Sequence, residues 1–87
     1  MTFIVNWSID SSIRDEANAR FKATGAPPPA GVKILGRWHN LDGSGGVAIV
    51  ESNDPVALGK MIHEWSDVLE FQITPSGDDA VVAQIIA

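Results

Sequence analysis

The sequence predicts an α+β domain in which four strands form one antiparallel sheet and two helices pack on one of its faces. Three observations carry this prediction. Short runs alternate apolar and polar residues with period two, and two intervening segments switch to the helical period of about 3.6. Clusters of Gly, Pro, Asn and Asp punctuate them. The chain has 87 residues, of which 45% are hydrophobic and 20% charged. That leaves room for one core, so residues 1–87 read as a single domain.

The first strand covers residues 2–8. Phe3, Val5 and Trp7 share one parity, and Thr2, Asn6 and Ser8 the other, with Ile4 the exception. The period then changes: Ile13, Ala17 and Phe21 recur at i, i+4, i+8, opposite Asp15, Glu16, Asn18 and Lys22. Ser11 or Ser12 is the expected cap, with Asp15 completing a capping-box-like arrangement. Gly25 and the run Pro27-Pro28-Pro29 stop this helix, because proline lacks the N–H donor and disfavours helical geometry in the residue before it. The proline run reads as a stiff connector rather than as a ligand for a proline-recognition domain.

A second strand follows, with Val32, Ile34, Gly36 and Trp38 on one parity and Lys33, Leu35, Arg37 and His39 on the other. Asp42-Gly43-Ser44-Gly45-Gly46 is a hairpin turn, since such turns need positive φ. Val47–Glu51 forms the third strand. Asn53-Asp54-Pro55 starts the second helix, with a capping side chain and proline in the first turn. Its apolar face is Leu58, Met61, Ile62 and Trp65. Leu69, Phe71 and Ile73 alternate with Val68, Glu70, Gln72 and Thr74 in the fourth strand. For residues 78–87, Asp78 and Asp79 favour a short helix through the dipole. The Val and Ile content of the same stretch favours a strand.

Two helices on one side leave the other side of the sheet uncovered, so a second copy is expected to cover it. By strict alternation, Trp7, Trp38 and Trp65 belong to the strand–helix core. The uncovered face then carries Asn6, Arg37, His39 and Gln72; the third strand is apolar on both parities, so Glu51, near its end, fits either face. Polar groups converging among aliphatic residues are typical of ligand pockets. Arg37 suits a carboxylate, and His39 suits a proton shuttle oriented by Glu51 or Glu70.

Other chemistries find little support. The formal charge of −5 has the wrong sign for a nucleic-acid surface. There is no cysteine, which removes disulfides, thiolate zinc sites and cysteine nucleophiles. His63-Glu64 is not a zinc motif, because Asp67 stands where the second histidine would be. No glycine segment has the lysine of a phosphate loop, and no serine sits in a nucleophile elbow. No metal or cofactor is therefore expected. With no basic leader and no stretch approaching ~20 apolar residues, a cytoplasmic protein without membrane contact is expected.

Three segments together resemble a bacterial family usually called domain of unknown function 3303. They are Pro29-Ala30-Gly31-Val32 leading into Gly36-Arg37-Trp38; Glu51-Ser52-Asn53-Asp54-Pro55 with Leu58 and Trp65; and Asp67 through Pro75. The opening strand and the helix containing Phe21-Lys22 fit as well. Asn53 stands where members commonly have a second acidic residue, a change that leaves the cap intact. The resemblance implies a ferredoxin-like βαββαβ domain of the dimeric α/β-barrel type, and no established activity. Relatives by fold include cofactor-independent monooxygenases, isomerases and haem-handling proteins, but fold does not carry chemistry with it.

The leading expectation is a homodimer that binds a small organic molecule, including an anionic one, between its sheets. Arg37, His39, Asn6, Glu51 and Gln72 would form the site. The alternatives are a non-catalytic interaction dimer and a cofactor-free oxygenase or isomerase with His39 as base.

Overall fold

The computed structural model describes all residues, Met1–Ala87. The elements are β1 (Thr2–Ser8), α1 (Arg14–Thr24), β2 (Val32–His39), β3 (Gly45–Ser52), α2 (Pro55–Trp65), β4 (Glu70–Ser76) and α3 (Asp79–Ile85), with a 3-10 turn at Ser11–Ile13. The four strands form one antiparallel sheet in the order β2-β3-β1-β4. The α+β class and the sheet are as expected. The helix count is not: the tail folds as a third helix, started by Asp78, whose carboxylate accepts from the Val81 N–H.

The caps follow acceptor strength. Asp10, not a serine, receives the Ser12 N–H at 2.9 Å and the Ser12 hydroxyl at 2.7 Å. A carboxylate outcompetes a hydroxyl as acceptor, so Ser12 is the donor here and α1 itself begins without a side-chain cap. Gly25 ends α1 in the left-handed conformation at φ 72°, with its N–H on the Phe21 carbonyl. Asp54 caps α2, accepting from the N–H groups of Val56 and Ala57, and Pro55 opens the first turn.

The core lies between the sheet and the first two helices. Val5, Val32, Ala48 and Val50 point from the sheet toward Ala57 and Leu58 of α2, and all are buried. Ala17 is the buried residue of α1. Ser52 is buried with them, its hydroxyl reaching the Gly31 carbonyl at 2.8 Å and receiving the Asp54 N–H at 3.1 Å. That hydroxyl joins the start of β2, the end of β3 and the cap of α2.

β2 departs from simple alternation. Ile34 pairs with Val50, but Gly36 pairs with Ile49, the next residue along β3, so Leu35 is an inserted bulge residue. One extra residue exchanges the faces of everything beyond it. Arg37 and His39, opposite Ala48 and Gly46, therefore turn toward the helices, and Trp38, opposite Val47, turns away. Strict alternation puts these three residues on the reverse sides, and the bulge corrects it. Trp38 is 61% exposed on the uncovered face instead of in the core.

Candidate functional site

A cavity of about 130 Å³ opens between the sheet and helices α1 and α2, within one chain. Its floor is Val5, Ala48 and Val50, and its aromatic walls are Trp7, Phe21, Trp65 and Phe71. The polar lining is Arg37, His39 and Asn18. No Asp or Glu lines it, although the chain carries eleven. Apolar walls with a few placed polar groups are the usual make-up of a small-molecule site.

Each polar residue is positioned by local structure. The bulge at Leu35 swings Arg37 inward, and its guanidinium reaches across to the end of α1. One terminal nitrogen donates to the Ala26 carbonyl at 2.8 Å and the other to the Gly25 carbonyl at 3.0 Å. A cation at a helix C-terminus satisfies carbonyls that the helix leaves unpaired and complements its dipole. The loop it holds is strained: Ala26 has φ 43°, in the left-handed region that residues with a Cβ seldom adopt. Thr24 helps, its hydroxyl oxygen receiving the Ala26 N–H at 3.1 Å. Ala26 and Pro27 then form part of the cavity wall.

His39 lies two residues farther along the same face. Its ring meets Phe21 edge-on at 5.0 Å between centroids and Trp7 edge-on at 5.5 Å. Such T-shaped contacts set the plane of the imidazole without consuming its nitrogens. At the other side of the cavity Arg20 fixes Trp65. The Arg20 guanidinium sits 5.2 Å from that ring's centroid and bonds Asp67 through both carboxylate oxygens, at 2.9 and 2.6 Å. It also donates to the Glu64 carbonyl. The Arg20 hydrogen bond and charge hold the Asp67 carboxyl below its usual 3.8.

The remaining sequence candidates are elsewhere. Asn6 and Gln72 pair across β1 and β4 on the face away from the helices, and Glu51 pairs with Lys33 and Thr2 on that same face. The Glu51 carboxylate receives the Thr2 hydroxyl at 2.8 Å and lies 3.3 Å from the Met1 amino nitrogen. Those two contacts, the hydroxyl first, lower its pKa. Glu51 therefore cannot orient His39. The structure brings together Arg37 and His39, separates them from Asn6, Glu51 and Gln72, and adds Phe21, Trp7 and Trp65 as ring walls. The signal for this was Gly36: an isolated glycine inside a strand marks a bulge.

The uncovered face is apolar at its middle. Ile4, Val47 and Ile49 are half-buried there, and Leu35 and Trp38 are mostly exposed. The Trp38 ring folds back along β2 over Gly36, where a Cβ would collide with it. No helix is long and apolar enough to cross a membrane.

The family model of DUF3303, a domain of unknown function, matches residues 1–87, the whole chain, and the chain belongs to that family. No curated protein matches it.

Proposed function

From membership in a family without an assigned reaction, and from the cavity described above, we propose that the chain binds a small, largely apolar organic anion. The ligand's ring or chain lies among Trp7, Phe21, Trp65 and Phe71, and its acidic end meets Arg37 and His39. One observation carries this reading: in a chain of formal charge −5, the only ionisable side chains lining the cavity are a guanidinium and an imidazole. Two of the five guanidinium N–H donors hold the loop carbonyls, and the rest are available to a carboxylate. The volume suits a molecule about the size of one substituted ring, by comparison with cavities of ~150 Å³ that take up benzene.

Titration with benzoate tests this, followed by tryptophan fluorescence and calorimetry. Saturable binding that weakens strongly in Arg37→Met supports it. Equal affinity for benzoate and for uncharged toluene removes the anion from the reading.

A second reading concerns assembly. A sheet face bearing Trp38 and Leu35 in the open favours covering by a second copy, making a cytoplasmic homodimer with Asn6, Glu51 and Gln72 at the interface. Under this reading the ligand sites are two, one per chain, outside the sheet-to-sheet contact. An acid–base enzyme with His39 as base has less support, because no carboxylate of the lining can orient the imidazole.

A further inference from the structure

We propose that the ligand is an aromatic acid with a neutral hydroxyl at the end of the ring remote from its carboxylate, and that Asn18 selects it; this rests on the anion reading above. α1 gives Ala17, Asn18 and Phe21 to the cavity lining, the i, i+1, i+4 pattern of one helix face. Ala17 and Phe21 continue the apolar wall. Asn18 sets an amide into it, and the only other polar side chains of the lining are Arg37 and His39. Farther along the helix, Arg20 is bound to Asp67, and the Thr24 hydroxyl to the Arg20 carbonyl and the Ala26 N–H. Asn18 has no such partner. It is exposed as well as lining the cavity, which places it at the mouth.

The three polar groups follow one another along α1. Arg37 holds the Gly25 and Ala26 carbonyls at the helix end, and His39 meets Phe21. Asn18 lies beyond them, about 10 Å from Gly25 along the axis at ~1.5 Å per residue. Cα–Cβ bonds tilt toward the helix N-terminus, which carries the amide farther from Arg37. A benzene ring substituted at opposite ends, with a hydrogen bond of about 2.8 Å at each, spans a similar length. The rings of Trp7, Phe21, Trp65 and Phe71 line the same cavity and suit a flat ring between the two ends.

Charge and hydrogen bonding define the far group. Arg37 and His39 are the only ionisable residues of the lining and serve the acid end. Asp15 and Glu16 stand just before Asn18, in the first turn of α1. A second carboxylate there would meet like charge with no cation to balance it. A methyl group would displace water from the amide and return no hydrogen bond. A hydroxyl both donates and accepts, as the amide does.

The test compares 4-hydroxybenzoate with 4-methylbenzoate, which has the same shape without the hydrogen bond, by calorimetric titration of the full chain and of Asn18→Leu. The readout is the ratio of the two affinities within each protein, so a general weakening of the cavity cancels. The parent is expected to bind 4-hydroxybenzoate about fivefold tighter, the worth of one neutral hydrogen bond. In Asn18→Leu the preference should reverse toward the methyl compound. Should that variant fail to fold, Asn18→Ala decides by the same ratio, with the preference abolished. A parent that binds 4-methylbenzoate as tightly as 4-hydroxybenzoate, or more so, overturns the hydroxyl and leaves the anion site standing. A preference for the hydroxyl that persists in the variant overturns the role of Asn18. If neither compound saturates the parent, both this inference and the reading it rests on are overturned.

Discussion

The Arg37 guanidinium lies over the Phe21 ring, 5.2 Å from its centroid, while both terminal nitrogens hold the carbonyls of the loop that ends α1. One side chain thus shapes the cavity wall and presents positive charge to its interior. Arg37→Met keeps an unbranched apolar stem and removes both functions. We expect a loss of about 1–2 kcal/mol in stability, the size of hydrogen bonds from a charged donor at a partly buried site. We also expect benzoate affinity to fall by an order of magnitude or more. Arg37→Lys retains charge but not the fork, so it should recover part of the binding and little of the stability. Thermal melts and calorimetric titrations of the three proteins check both effects.

The two glycines Gly46 and Gly59 should respond to alanine with opposite signs. A Cβ at Gly46 meets the Trp38 carbonyl and the Trp7 ring, and the backbone carbonyl cannot yield. Gly46→Ala should cost about 1–3 kcal/mol or more through overpacking and disturb the Trp7 wall of the cavity. Gly59 lies inside α2 with open space around it. Gly59→Ala should stabilise by about 0.5–1 kcal/mol through helix propensity. Urea midpoints for both variants decide the matter.

The sheet, the first two helices and the cap at Asp54 were legible because each rests on a local signal: period two, period 3.6, or Asp-Pro at a helix start. The site was legible only in part. Arg37 and His39 are recognisable as interesting from their chemistry alone, but their side of the sheet depends on a single inserted residue. Leu35-Gly36 alternates smoothly on paper because glycine counts on either parity, and Leu35 itself is apolar. Gly36 hints at a bulge, but only its pairing with Ile49 shows which residue is inserted and which faces exchange. Phe21 and Trp65 read as core from their stripes, and nothing local distinguishes a filled core from one with a cavity. Asp10 was missed as a cap because two serines follow it, and one of them is the donor.

The bulge makes a sharp prediction about Trp7 and Trp38. Alternation makes them equivalent core residues; the structure makes Trp7 a half-buried cavity wall and Trp38 a surface residue. Trp7→Ala should lower stability by about 3 kcal/mol and weaken benzoate binding. Trp38→Ala, in protein dilute enough to be monomeric, should change stability by less than about 1 kcal/mol, as surface substitutions usually do. At high concentration it should weaken self-association. Equal, large losses from both substitutions in dilute protein would return Trp38 to the core and remove the bulge.

Asp67 and Arg20 set part of the acid limit of the fold. The bidentate contact with Arg20 lowers the Asp67 carboxyl below its usual 3.8, and hydrogen bonds from Ser12 and Ser44 do the same for Asp10 and Asp42. A carboxyl depressed in the folded chain binds its proton more readily when unfolded. Its contribution to stability is therefore present above the unfolded value and is lost as pH falls through the folded one. Stability should decline below about pH 4, where those unfolded carboxyls begin to take up protons. Asp67→Asn removes the titrating group and one side of the ion pair. Its stability should lie below the parent's at neutral pH, decline less steeply on acidification, and approach the parent's at the acid end. Denaturant melts of the two proteins, taken stepwise from neutral to acid pH, test this. Parallel curves over the whole range would mean that the contact with Arg20 contributes nothing to the folded state.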